Sequence, residues 1–419
     1  MNLAQIVKKR DWLLVDLPDV VFFQEGPGVR NNQYTTSGVK LLNVANLQDG
    51  RIVLDNTDRY ISEDEAYGRY QHFLVDEGDL IIASSGIKVE YFDKKMGFVE
   101  KHHLPLCLNT STIRFKSLDN SVLDIRYFMY FLKSNYFKKQ LSRLITGSAQ
   151  LNFGPSHLKK IKVILPDIYT QKRIVSILDK AQELIDKRKA QIEALDQLTQ
   201  SVFLEMFGDP WINPKKWRVK KIKEVIKNKP INGFFAKNEQ YSDKGNAKII
   251  WISDFINKRS ANIHGLKKVV ATEEDIKKYQ VKYGDILFCR SSLNVDGIGK
   301  AAYVPEFPKD ENIIFECHII KITLSDEVLP EFFQVLSETK FFRNQIIKHS
   351  KTSTMTTISQ SGIMECSIIV PPVQIQNQFL QILKKIEYEK QKLQNSLSLL
   401  NDNFNSLMQR AFKGELFND

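Results

Sequence analysis

Between Asp167 and Phe207 apolar residues return every three or four positions. Ile174, Leu178, Ala181, Ile185, Ile192, Leu195, Val202 and Met206 therefore fall on one seam of a helix, with Arg188 and Thr199 as its polar interruptions. At ~1.5 Å per residue this stretch predicts a rod of roughly 60 Å, far longer than the ~11 residues of an average helix in a globular domain. Such a rod needs a partner along its length, and the same chain supplies one. Moving on by 205 residues gives Phe379, Leu383, Ile386, Lys390, Leu393, Leu397, Leu400, Phe404, Leu407 and Ala411, the same seam with no insertion or deletion. One offset also relates Phe137 to Phe342, Gln140 to Gln345, Pro166 to Pro371 and Gln171 to Gln376. The pattern predicts an internal duplication in which each half is a globular part followed by a long helix, the two helices forming a coiled coil.

Outside the long helices the pattern changes to short apolar runs between turn signals. In the first half, residues 40–44, 80–83, 112–115 and 161–165 read as strands, separated by Gly26-Pro27-Gly28, Asp49-Gly50 and Glu77-Gly78-Asp79. One helix is predicted from Ile125 to Leu144, with Tyr127, Phe128, Phe131, Leu132 and Phe137 pointing into a core. The second half repeats the plan: residues 248–253 (KIIWIS) answer 40–45 (KLLNVA), and the Gly284-Asp285 strand answers Gly78-Asp79. The expected fold class is α+β: mixed α/β domains at 1–165 and 209–370, and long helical segments at 166–208 and 371–419, packed antiparallel.

At 419 residues with 42% apolar content, the chain can bury substantial cores. It has no eighteen-residue apolar run and its N-terminus lacks an apolar signal core, so a cytoplasmic protein that does not enter membranes is expected. Cys107, Cys289, Cys317 and Cys366 show no pairing pattern and no CxxC spacing, which predicts four reduced thiols and no metal site; the adjacent Cys317 and His318 are expected to pack in a core. The net charge of +11 is unevenly spread: residues 51–100 carry 6 basic and 11 acidic groups, residues 101–165 carry 11 and 2, and residues 201–300 carry 20 and 11. Basic blocks in each half suit a polyanion, although a solvated lysine-rich surface would look the same. The stretch 215–229 holds eight basic groups and one acid, and with Trp217 and Ile222 as anchors it is expected to touch phosphates.

Several chemistries are missing. No GxxxxGK[ST] loop exists, because Gly297-Ile298-Gly299-Lys300 lacks the upstream spacing and the hydroxyl. A dinucleotide-type glycine fingerprint and the Asn/Asp-Pro-Pro-aromatic tetrapeptide of amino methylases are absent too. Glu331, Glu338 and Lys340 are the nearest approach to a nuclease cluster, but they share a predicted helix with phenylalanines. No catalytic residue is therefore assigned.

Order and motifs together resemble the specificity subunit of type I DNA restriction-modification systems. The resemblance rests on LPDIYTQKRIVSILDKAQELID and FLEMFGDP in the central region, VPPVQIQNQFLQIL in the distal one, and the strand-turn segments GDLIIASSG and GDILFCRSS. It implies two target recognition domains that read an asymmetric, split sequence on double-stranded DNA, with the long helices setting the unread spacer. It also implies docking of two methyltransferase subunits, with translocase-nuclease subunits joining the full complex. S-adenosylmethionine, ATP and Mg would then belong to those partners and no cofactor to this chain. The polar loop Gly147 to Asn152 is of the family type, whereas Thr352 to Thr357 lacks its glycine and glutamine.

Base-reading side chains are expected in the loops after the Gly-Asp strands: Ser84, Ser85 and Lys88 in the first half; Arg290, Ser291, Ser292 and Asn294 in the second. Arg290 leads, because a guanidinium paired with guanine discriminates by ~1–3 kcal/mol; its other possible use is an ion pair with Asp296. Ser148, Gln150, Asn152, Lys351 and Ser353 are expected to face DNA, the alternative being that Ser and Asn merely cap the next segment. Two other readings stand beside this one: a self-sufficient nuclease or methylase, and a coiled-coil scaffold that reads no DNA.

Overall fold

The structure is a computed structural model and describes residues 11–87, 89–145 and 151–417, with side chains omitted at 87, 89, 90 and 151. It divides into two compact units, residues 1–189 with 395–419, and residues 190–394. Each long helix has forty residues, Ile168–Phe207 and Val373–Phe412, and each contributes to both units.

In the first unit an antiparallel sheet takes its strands in the order Val21–Glu25, Thr112–Ser117, Leu80–Ala83 and Met96–Phe98. A second sheet places Val39–Leu42 between Leu106–Leu108, parallel to it, and Tyr60–Ile61, antiparallel. The second unit repeats both. Its four-stranded sheet runs Ile231–Asn232, Ile319–Thr323, Asp285–Cys289, Ala301–Tyr303, and its three-stranded sheet has Ala247–Ile250 between Ile313–Phe315 and Lys267–Val269. A pair of strands closes each domain beside its long helix: Leu13–Asp16 with Lys162–Leu165, and Arg218–Lys221 with Ser367–Val370.

Tyr127, Phe128, Phe131, Leu132 and Phe137 are fully buried, as their spacing requires. The expected single helix 125–144 is, however, two helices, Ile125–Lys133 and Asn135–Leu144. Ser134 adopts an extended conformation (φ −69°, ψ 153°); its hydroxyl accepts from Phe137 N and donates to Phe131 O. Thr339 does the same between Pro330–Glu338 and Lys340–His349. A short hydroxyl side chain that satisfies both helix ends makes a sharp corner at little cost, and apolar periodicity alone does not reveal it.

Two glutamines fasten the long helices to their domains. Gln171 is fully buried; its Oε1 accepts from Asp124 N and its Nε2 donates to Val122 O and Pro166 O. Gln376 makes the same three bonds with Leu329 N, Glu327 O and Pro371 O.

In each unit the helices run antiparallel. Phe412, at the end of the second helix, packs on Tyr127 and Phe131 and shares a core with Ile174 and Leu178 from the start of the first. In the other unit Phe203 and Phe207 pack on Phe379, at ring distances of 5.8 and 5.4 Å. Of the seam's polar members, Thr199 is buried and donates to Leu195 O, and Lys390 pairs with Asp196.

Candidate nucleic-acid interface

The Gly-Asp segment begins each candidate site, and its aspartate proves to be structural. Asp79 and Asp285 are both 2% exposed. Asp79 accepts from Asp76 N and faces Arg114 and Lys116; burial raises its pKa, and that hydrogen bond and the two cations work the other way. Asp285 accepts from Lys282 N and from the Thr323 hydroxyl and pairs with Lys321. Each carboxylate thus closes the tight turn and ties it to the neighbouring strand, which fixes where the next residues emerge.

What emerges is a short extension of the sheet. In the first domain Ser85–Ile87 pairs with Leu151–Asn152, Ser85 standing opposite Asn152. In the second, Ser291 and Ser292 stand opposite Thr357 and Thr356, and Lys351 lies opposite Thr357 in the hairpin Ser350–Thr352 and Thr356–Ile358. Two loops more than sixty residues apart in sequence are thereby brought to one edge, twice. Backbone bonds show the equivalence: Ser84 N donates to Ser111 O and Arg290 N to His318 O, while Ser84 O accepts from Phe153 N and Arg290 O from Ile358 N.

At these equivalent positions the side chains differ. Ser84 is buried rather than on the face, because its hydroxyl points back to Glu25 at 3.4 Å. Arg290 is half-buried and donates to Cys317 O at 3.3 Å; among the described residues it has no carboxylate within ion-pair distance, so the alternative pairing with Asp296 is not made. Asp296 instead offers its backbone carbonyl to Arg343. Ser291 Oγ lies 3.1 Å from His318 Nδ1. Asn294 caps a short 3-10 turn by accepting from Gly297 N, and Ser292 Oγ accepts from Asn294 N, so these two have a local structural use. Asn152, Lys351 and Ser353 are exposed. Lys88, Ser148 and Gln150 lie outside the described residues.

The sequence did not bring out several residues at the same edges: Glu25, whose pKa burial raises; Thr357; and the turn Glu316-Cys317-His318. Cys317 is only half-buried and His318 is exposed, which overturns their expected core packing; they sit at a turn that follows an apolar strand, not within it. Several groups of the basic stretch 215–229 have a structural use beside the phosphate contact expected of them. Lys220 pairs with Glu327, Lys221 and Lys223 with Glu365, Lys227 with Asp326, and Lys215 caps the carbonyls of Glu205 and Met206. Glu331 and Glu338 do not converge, since one accepts from Tyr283 and the other pairs with Arg259. Among the described residues no helix is long and apolar enough to cross a membrane.

Two repeated domains, each with a locked turn and a polar edge of its own, define a class of paired recognition modules. The family described as the type I restriction modification DNA specificity domain matches twice, over residues 9–195 and 214–398. The chain belongs to this family and is a non-catalytic specificity subunit of the type I restriction-modification class, whose role is DNA target recognition alongside other subunits. The EcoKI specificity subunit of Escherichia coli K12 is 24% identical over 395 residues, covering 90% of this chain and 82% of the relative. The MjaVIII specificity subunit of Methanocaldococcus jannaschii is 28% identical over 196 residues, 46% of this chain and 44% of that one. A solved structure described by the assembly and conformational transition of the type I system has a TM-score of 0.55 at 15% identity, covering 97% of this chain and 98% of the other.

Proposed function

We propose that the chain reads a bipartite, asymmetric DNA sequence, one half-site per domain, with the paired long helices setting the unread spacer. The observation that carries this reading is the edge built twice on one backbone plan with side chains that differ in part: Ser85 and Asn152 in one domain, Ser291 and Thr357 in the other, with Arg290 where the first domain has the inward-turned Ser84. Different donors and acceptors on one frame are what two different half-sites call for. Forty residues per helix give about 60 Å of rod, long enough to separate two reading surfaces by more than a turn of duplex. Repetition of the helix-fastening elements, Gln171 with Pro166 and Gln376 with Pro371, supplies two similar surfaces on which two copies of a methyltransferase subunit dock. S-adenosylmethionine, ATP and Mg belong in this reading to the methyltransferase and translocase-nuclease partners in the cytoplasm, and this chain carries no catalytic group.

The test is a map of methylated adenines in cells that express the chain with its neighbouring methyltransferase subunit, compared with cells lacking the chain. A split motif that requires the chain, and of which Arg290→Ala changes only one half, is the expected result. Unchanged methylation despite a stable complex would leave a scaffold that reads no DNA.

A further inference from the structure

The turns that follow the parallel edge strands are equivalent in the two domains but differ in chemistry. Leu106–Leu108 pairs with Val39–Leu42 as Ile313–Phe315 pairs with Ala247–Ile250, so Asn109, Thr110 and Ser111 correspond to Glu316, Cys317 and His318. Both turns close by the same bond, Thr112 N to Asn109 O and Ile319 N to Glu316 O. Both are crossed by a glycine so close that a Cβ would lie 2.1 Å from the carbonyl oxygen, Gly26 over Asn109 and Gly233 over Glu316. In the first domain the buried Asn109 is used structurally: its Nδ2 donates to Asn43 and its Oδ1 accepts from Thr110 N. In the second, the same three positions hold a carboxylate, a thiol and an imidazole whose ligand atoms all lie within 4.8 Å of one another.

We propose that Glu316, Cys317 and His318 form a binding site for a thiophilic divalent cation of the zinc type. Glu316 is 4% exposed, yet among the described residues no Lys or Arg pairs with its carboxylate. It is held by His318 N at 2.8 Å and lies beside the Cys317 thiol, whose pKa is raised first by burial and then by this carboxylate. A buried anion beside a neutral thiol and an exposed imidazole is an arrangement that a divalent cation completes. Oxygen, sulfur and nitrogen ligands together suit zinc, whose bonds of ~2.0–2.3 Å place tetrahedral ligands ~3.3–3.8 Å apart, so binding draws the three side chains together by up to about 1 Å. Binding converts the thiol to thiolate and releases its proton to solvent, so affinity rises with pH until the thiol ionises unaided. His318 already touches Ser291, so the cation would stiffen the second domain's edge and add positive charge there. The first domain has no counterpart.

The inference does not depend on the DNA reading, because its test uses the untagged full chain and metal alone. Zn2+ titration by calorimetry in two buffers of different ionisation enthalpy should show one equivalent bound and about one proton released. Co2+ should give the absorption of a tetrahedral thiolate complex. The variant carrying Glu316→Asn, Cys317→Thr and His318→Ser gives the turn the side chains of its first-domain equivalent. It should melt normally, lose the cobalt-thiolate band and bind Zn2+ at least tenfold more weakly; Cys317→Ser alone should also abolish the band. Zn2+ binding of equal strength in the variant, or a wild-type chain without the band, overturns the proposal.

Discussion

The two domains share a set of polar contacts that shape them and few of the side chains at their edges. Gln140 exchanges two bonds with the backbone of Lys162, and Gln345 does the same with Ser367. Gln171 and Gln376, Ser134 and Thr339, Asp79 and Asp285 repeat in the same way. The edge positions instead pair Ser84 with Arg290, Asn109 with Glu316 and Ser111 with His318. Buried polar groups must be matched or they cost stability, so divergence after duplication is confined to groups that face outward or can re-pair locally. A frame constrained in this way can carry two specificities without two folds.

Substitutions in the shared frame should have the largest effect. Gln171→Ala and Gln376→Ala each remove a fully buried amide with three bonds and leave a backbone N–H and two carbonyls without partners. Each should cost ~2–4 kcal/mol, by a similar amount in the two domains, measured by chemical unfolding. A difference of more than about twofold between the two losses would show that the frame is not equivalent. Next in size is a contact the domains do not share. Arg259, 15% exposed, joins Glu338 of its own domain to Asp196 and Glu387 of the long helices. Removing it takes the cation from Glu338 and Glu387 and leaves Asp196 with Lys390, and Arg259→Ala should cost ~2 kcal/mol, reduced because those carboxylates are partly solvated. In the first domain Asp179 of the long helix pairs with Arg126 at 3.0 Å and also accepts from the Tyr130 hydroxyl at 2.8 Å, and Tyr130→Phe should cost ~1 kcal/mol. The Arg259→Ala loss should shrink in high salt, whereas the Tyr130→Phe loss should not.

Much of the frame was legible in the sequence because it obeys periodicity. The seam, the 205-residue offset, the Gly-Asp strands and the helix limits near Pro166 and Gly208 all follow from spacing and turn residues. The corners at Ser134 and Thr339 were not legible, because a hydroxyl inside an apolar helix pattern reads as a tolerated polar residue until its two cap bonds are seen. At the site, sequence placed the two loops of each domain near the same task but could not pair them, since pairing between strands over sixty residues apart leaves no local signal. Ser84 failed as a surface residue because it is buried and its hydroxyl points to Glu25, a partner distant in sequence. Cys317 and His318 failed as core residues because the strand ends at Phe315, one turn earlier than the apolar run implies.

The smallest expected effect concerns the charges at 215–229 of the second domain. Lys221 and Lys223 both reach Glu365, and hydrogen bonds from the two ammonium groups hold its carboxyl down at about 2. Glu365's folded pKa lies below the ordinary value of about 4.3, so its contribution to stability is present above that value and is lost as pH falls toward 2. Because the group is partly open to solvent, solvent and salt screen the pair and the net stability effect should be small. The titration itself is the better probe. NMR should place the Glu365 carboxyl near 2 in the native chain, and Lys221→Met with Lys223→Met should return it toward the ordinary glutamate range while the melting temperature barely moves. If these lysines also gripped DNA phosphates, the double variant would lose affinity for all sequences alike and lower the salt dependence of binding by about two charges. The ion pairs predict instead that DNA binding and its salt slope stay nearly unchanged, which separates the block's structural use from a phosphate-contacting one.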